Sequence, residues 1–209
     1  MYTLYYGKGA ASLAIHAALK ETGVPYELVA IDLDAGQQRS PEYLRINPQG
    51  KVPTLLIDGK PFAESAALMM MLAERHPQSN LAPPAGSLAR AEWYELIVTM
   101  ANSLGNNFRL WFYPADVGST NEDSALRSAI QQRIESMWAM LDARLAAHGP
   151  YLLGETFSGA DLMLTMYMRW SRNMPRPATD WPALRKYADM MRARPSWRHI
   201  TEVEALTGW

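Results

Sequence analysis

The sequence predicts a small mixed α/β domain followed by an all-helical domain, and three observations carry that prediction. Short apolar runs separated by turn residues fill the first third of the 209 residues. A proline- and glycine-bearing stretch from His76 to Ser87, with Pro77, Pro83, Pro84 and Gly86, then breaks the pattern. Beyond it, apolar residues recur every three or four positions, the helical period. The expected division is 1–78 for the α/β domain, 79–87 for the linker and 88–209 for the helical domain.

Residues 3–7 alternate around aromatic positions and read as a strand. Ser12 is suited to cap a helix over Leu13 to Lys20, which Gly23 and Pro25 would close. Tyr26 to Ile31 reads as a second strand, so a βαβ crossover joins the two. Ser40-Pro41-Glu42 opens a short helical segment before Asn47. Thr54–Ile57, an Asp58-Gly59 turn and Lys60–Ala63 form a hairpin, and a helix runs from about Glu64 to Arg75. The order βαβ then ββα is a small mixed sheet flanked by helices. In the second half, Ile130, Ile134, Met137, Leu141 and Leu145 place one apolar stripe on a helix from Ser124 to Ala147, which His148-Gly149-Pro150 stops. Ser158-Gly159-Ala160-Asp161 is an S-x-x-D capping box ahead of an apolar run and reads as structural. The methionines at 69–71, 163, 166 and 168 are expected to fill gaps between helices, not to bind a metal.

Composition narrows the chemistry. A formal net charge of −1 gives no general attraction to nucleic acid or an anionic membrane. No apolar run approaches the roughly 18 residues that span a bilayer, and Met1–Tyr5 lack the features of a signal peptide, so a cytoplasmic location is expected. The chain has no cysteine. Any thiol chemistry must therefore use a sulfur brought by a ligand. The histidines (His16, His76, His148 and His199) are scattered without i, i+4 pairing, and no metal site is expected.

Two segments point to a ligand. In Asn47-Pro48-Gln49-Gly50-Lys51-Val52-Pro53, the prolines fix their own φ and push Asn47 and Val52 towards extended geometry. Pro53 cannot donate into a sheet ladder, and a cis Val52–Pro53 bond is expected there. It would turn the Val52 N–H and C=O outward, towards the backbone of a peptide-like ligand. Eleven residues on, Glu64-Ser65 opens an apolar helix whose unpaired N–H groups and positive dipole end suit an anion. Glu64 would hold an ammonium group, and Ser65 with the helix start a carboxylate. Together they suit an amino-acid head group. A plain helix cap is the alternative for either residue.

With Tyr5-Tyr6-Gly7-Lys8-Gly9 at the first strand's end, Ile46-Asn47-Pro48 through Val52-Pro53, Glu64-Ser65 and Phe157-Ser158-Gly159-Ala160-Asp161, the chain resembles the cytosolic-type, bacterial glutathione S-transferases over nearly its whole length. The resemblance implies a thioredoxin-like N-terminal domain with a mixed four-stranded sheet and a helical-bundle C-terminal domain. It implies that Val52-Pro53 pairs with the cysteinyl backbone of glutathione, that Glu64 and Ser65 bind its γ-glutamyl end, and that Gln38 lies near its glycine carboxylate; Lys51, beside Val52, would pair with the same group, a solvated turn lysine being the alternative. It also implies a homodimer, with glutathione as co-substrate and no metal.

The catalytic group does not carry over from the family. Ala11 stands where the bacterial members this chain resembles most have cysteine, and Ala10 near where serine-type members have serine. Ser12 and then Tyr6 are the expected side chains for activating the thiol, with the Ala11 and Ser12 N–H groups nearby. The resemblance places the electrophile at Phe108, Arg109, Trp111 and Phe112, although the aromatic cluster there is equally suited to core or dimer contact. The expected function is conjugation of the glutathione thiolate to small hydrophobic electrophiles in a detoxifying role. The alternatives are a glutathione-dependent peroxidase or isomerase, and a non-catalytic glutathione-binding or regulatory protein. The missing cysteine argues against a glutaredoxin-like activity.

Overall fold

Four strands, β1 (Tyr2–Tyr6), β2 (Tyr26–Ala30), β3 (Thr54–Ile57) and β4 (Lys60–Ala63), form one sheet in the order β2-β1-β3-β4, in a computed structural model that describes residues 1–209. β1 and β2 are parallel, as a βαβ crossover through α1 (Leu13–Thr22) requires. β1 with β3, and β3 with β4, are antiparallel, and Asp58-Gly59 turns the hairpin. Gly23, left-handed at φ 70°, closes α1, where a residue with a Cβ would be strained. A short helix α2 (Pro41–Ile46) is capped by the Ser40 hydroxyl, which accepts the Tyr43 N–H. Helix α3 (Ser65–Arg75) follows β4 directly.

Residues 1–82 and 192–208 form one compact unit, and residues 83–191 with Trp209 form a second. In the first unit, Leu4 and Leu55 of the sheet, Leu13, Ile15 and Leu19 of α1, and Leu68, Met69 and Leu72 of α3 make the core. Every residue of α1 from Leu13 to Leu19 is buried, because a helix lies against it on a second side. That neighbour is α9 (Pro195–Val203), which the sequence assigned to the helical half. The Arg194 guanidinium forks onto Glu21 at 2.7 and 3.0 Å, and the Ser196 hydroxyl donates to the same carboxylate.

The second unit holds α4 (Leu88–Met100), α5 (Asn106–Phe112), α6 (Ser124–His148), α7 (Gly159–Trp170) and α8 (Pro182–Arg192). A π-helical turn at Ala101–Gly105 links α4 to α5, a departure the sequence did not signal. The α6 stripe is Ile130, Ile134, Trp138, Leu141 and Leu145. Trp138 takes the seam position expected of Met137, since the larger side chain fills the space beside Phe108. Met163, Met166 and Met168 are fully buried in this core. α7 is buried along nearly its whole length, and its capping box is formed. Asp161 accepts the Leu152 and Ser158 N–H groups and the Tyr187 hydroxyl. Burial outweighs these bonds and pushes its carboxyl up to about 6.

Candidate glutathione site

The sheet topology gathers several of the candidate ligand residues at one end of the first unit. β1 and β4 end there and β3 begins there, so α1 and α3 both start at that edge. Continuing the β3–β4 register by one residue sets Pro53 opposite Glu64, and continuing the β1–β3 register sets Tyr6 opposite Pro53.

The turn before β3 is held by a buried polar cluster. Asn47 Nδ2 donates to Lys51 O at 2.8 Å and to Thr54 Oγ1 at 3.0 Å, and its Oδ1 accepts the Gln49 N–H. The Tyr43 hydroxyl donates to Lys51 O at 2.7 Å. Gly50 lies at φ 59°, and a Cβ there would meet Gln38 O at 2.8 Å. With Lys51 O fixed from two sides, Val52 is presented in one orientation. The Val52–Pro53 bond is cis. Neither the Val52 N–H nor its C=O is bonded within the chain, so both are open to a peptide backbone. Asn47 belongs to the motif the sequence offered, but its side-chain role, and those of Tyr43 and Thr54, were not anticipated. The Asn-Pro-x-Gly signal announced a turn, but only the fold brings Tyr43 of α2 against it.

The start of α3 has the matching half. Leu68 donates the first intrahelical bond, to Glu64 O, so the Ser65, Ala66 and Ala67 N–H groups point out unpaired. Glu64 has φ 69° and ψ 106°, is exposed, and makes no capping bond. A plain cap does not explain it. A non-glycine residue in that region costs of order 1–3 kcal/mol, and such strain gathers at ligand clamps. The Ser65 hydroxyl donates to Ala11 O at 2.9 Å, joining the starts of α3 and α1.

The loop from Gly7 to Ser12 makes two successive tight turns, with Ala10 N–H on Gly7 O and Leu13 N–H on Ala10 O, both at 3.0 Å. The Ala11 and Ser12 N–H groups donate to nothing in the chain. Ser12 does not cap α1 with its side chain, contrary to the sequence reading. Its hydroxyl is fully buried and exchanges bonds with the Gly7 N–H and C=O, each at 3.2 Å. Tyr6 lies beside His16, ring centroids 6.1 Å apart. Burial and then the Glu204 carboxylate push its phenol up, which keeps it a hydroxyl donor at neutral pH. Gln38 is half-buried, its Nε2 on Leu33 O at 3.4 Å and its Oε1 without a partner. The Lys51 side chain is exposed. No group of three or more His, Asp or Glu is arranged to hold a metal.

In the second unit, Phe108 is fully buried, packed against Phe112, Trp138, Tyr167 and Trp170. Arg109 pairs with Asp116 and lies 3.9 Å over the Tyr113 ring. The Arg127 guanidinium sits 3.8 Å over Trp111, and Phe112 is exposed.

Residues 1–74 match the family model of the glutathione S-transferase N-terminal domain and residues 91–189 that of the C-terminal domain. A sphingomonad glutathione S-transferase, solved in complex with glutathione, is 30% identical over 98% of this chain and 100% of its own, with a TM-score of 0.84. The chain belongs to the glutathione S-transferase family. Glutathione S-transferase GST-4.5 of Xanthomonas campestris pv. campestris is 29% identical over 97% of this chain and 98% of its own length. A maleylacetoacetate isomerase of Dictyostelium discoideum is 31% identical over 76% of this chain and 74% of its own. The four-stranded mixed sheet and the helical second half are those of the family.

Proposed function

We propose that this glutathione transferase binds glutathione along Val52 and the start of α3, and joins its thiolate to small hydrophobic electrophiles. The observation that carries this is the unpaired Val52 N–H and C=O, with the strained Glu64 and three free N–H groups beyond it. In this reading the cysteinyl backbone pairs with Val52 beside Pro53. The γ-glutamyl ammonium meets Glu64, its carboxylate meets Ser65 and the α3 start, and the glycine carboxylate lies towards Gln38 and Lys51. Residues 1–78 are the glutathione-binding domain, 79–87 the linker and 88–209 the helical domain, whose last helix returns to α1.

A free thiol with a pKa near 8.5 is only a few per cent ionised at neutral pH. Lowering that pKa by about two units requires roughly 2.7 kcal/mol of preference for the thiolate. Two N–H donors to a charged sulfur, at about 1.5–3 kcal/mol each, suffice. The Ala11 and Ser12 amides at the α1 start fill that role in our reading, with its dipole adding about 0.3–1 kcal/mol. Tyr6 is a second donor. The Ser12 hydroxyl, closed on Gly7, serves the sulfur only by shaping the loop. The thiol proton leaves to water. The thiolate forms the S–C bond as the leaving group departs with its electron pair, or adds to an activated double bond that water then protonates. Of the expected electrophile set Phe108, Arg109, Trp111 and Phe112, Phe112 is the exposed member and Phe108 is enclosed in the core of the second unit.

A glutathione-dependent isomerase is the second reading, favoured by the isomerase relative. A non-catalytic glutathione-binding protein is the third, favoured by the alanines at 10 and 11. We further infer a cytoplasmic homodimer acting in detoxification. No helix is long and apolar enough to cross a membrane. Calorimetric titration with glutathione, followed by the ultraviolet thiolate band of the complex, tests the proposal. Binding with an ionised thiol at pH 7 is expected. Binding with the thiol protonated would leave the non-catalytic reading. A Ser12→Ala protein with near-normal turnover is expected, and a loss beyond about tenfold would return the catalytic role to its hydroxyl.

A further inference from the structure

Glu204 lies just beyond α9, yet its carboxylate is buried at the other end of the chain's fold path. Its side chain is wholly inaccessible to solvent, as is that of His16. One oxygen, Oε1, lies 2.8 Å from His16 Nδ1, and the other, Oε2, accepts the Gly9 N–H at 2.8 Å. Burying a carboxylate costs several kcal/mol unless its oxygens are bonded. Here each oxygen has a partner, and both partners belong to the segment that opens the proposed sulfur site. Gly9 is the tip of the first tight turn, at φ 65°. His16 stands one helical turn into α1 and donates its own N–H to Ser12 O at 2.9 Å.

α9 is anchored at its opposite end by Arg194 and Ser196 on Glu21, near the C-terminal end of α1. It therefore runs antiparallel to α1 as a splint, pinned at Glu21 below and at His16 and Gly9 above. A buried carboxylate gains little in net stability over a hydrophobic residue of similar size, and here both of its oxygens are bonded to the segment that opens α1. What it supplies is direction. It ties the Gly9 amide to the His16 side chain, and these two residues flank the Ala11 and Ser12 N–H groups along the chain.

We propose that Glu204 is a positioning residue for the sulfur end of the glutathione site, acting through Gly9 and His16 on the loop from Gly7 to Ser12. This rests on the transferase reading above. It differs from a structural role in one respect: the sulfur's ionisation should suffer while the rest of the ligand still binds.

The test compares wild type with Glu204→Ala, Glu204→Gln and Glu204→Asp. The readouts are the thiolate titration of bound glutathione, kcat/KM, and the affinity for S-methylglutathione, which has no ionisable thiol. In Glu204→Ala the bound thiol should titrate about one pH unit higher and kcat/KM near neutral pH should fall about tenfold. The Kd for S-methylglutathione should stay within about twofold. Glu204→Gln should recover most of the loss, because its amide oxygen can accept the Gly9 N–H and its NH₂ can donate to His16 Nδ1 in the other tautomer. Glu204→Asp keeps the charge but is a methylene too short for both partners, so it should resemble Glu204→Ala. Should Glu204→Ala not fold, the Gln and Asp pair carries the test. An unchanged thiol titration in Glu204→Asp, or equal weakening of glutathione and S-methylglutathione, overturns the proposal. A wild-type complex with no thiolate at neutral pH would instead sink the transferase reading itself.

Discussion

Replacing Ser65 by alanine removes one of four donors at the start of α3, the other three being the Ser65, Ala66 and Ala67 N–H groups. A hydrogen bond to a charged carboxylate contributes about 1.5–3 kcal/mol. The hydroxyl is not idle without ligand, however, because it donates to Ala11 O at 2.9 Å. Re-aiming it at a carboxylate gives up a neutral bond worth about 1 kcal/mol. The net loss on binding is therefore about 0.5–2 kcal/mol, or roughly 2–30-fold in Kd. Calorimetry with glutathione measures it directly. A control ligand, γ-aminobutyryl-cysteinylglycine, lacks the γ-glutamyl carboxylate but keeps the amine, and should bind both proteins alike. The N–H groups survive the substitution, so binding should weaken without vanishing. Glutathione affinity within about twofold of wild type would refute the reasoning. So would an equal loss with the control ligand, since the effect would then come from freeing the α1 start.

Glu64→Gly should relieve the backbone at φ 69° and stabilise the fold by about 1 kcal/mol, after the entropic cost of glycine, while weakening glutathione binding about tenfold through loss of the carboxylate. Urea unfolding and calorimetry on one sample check both halves, and no gain in stability would show that Glu64 is not strained. Asp161 has a folded-state pKa of about 6 against an ordinary 3.8, raised chiefly by burial. Its contribution is fully present below about pH 3.8 and is lost as the pH rises through about 6, a change of roughly 3 kcal/mol. Urea midpoints from pH 4 to 7 should carry this fall in wild type and lack it in Asp161→Asn, so parallel profiles would contradict the assignment. Ala11→Cys should create a thiol beside free N–H groups. It should attack glutathione disulfide, release one glutathione and keep the other as a mixed disulfide faster than Ala85→Cys does, which mass spectrometry follows. Equal rates at the two positions would argue against an activating environment at the α1 start.

The local pattern decided much of this protein. Asp58-Gly59 between two short apolar runs specified the hairpin, Gly23 the end of α1, and Ser158 with Asp161 the start of α7, because each depends on residues within a few positions of itself. The cis Val52–Pro53 bond and the helix start at Glu64-Ser65 were legible for the same reason: prolines and helix starts act on their own neighbourhood. Other features depended on what the fold brought near. Ser12 reads as an N-cap by its neighbours, yet its hydroxyl closes on Gly7 because β1 and α1 meet there. The sequence left Phe108 open as pocket wall, core or dimer contact, and only the fold shows Trp138 and Tyr167 enclosing it. The Tyr43, Asn47 and Thr54 cluster spans a helix, a turn and a strand. Glu204 reaches a loop 195 positions away. A buried carboxylate leaves no periodic trace in a sequence, since its partners are chosen by tertiary packing alone.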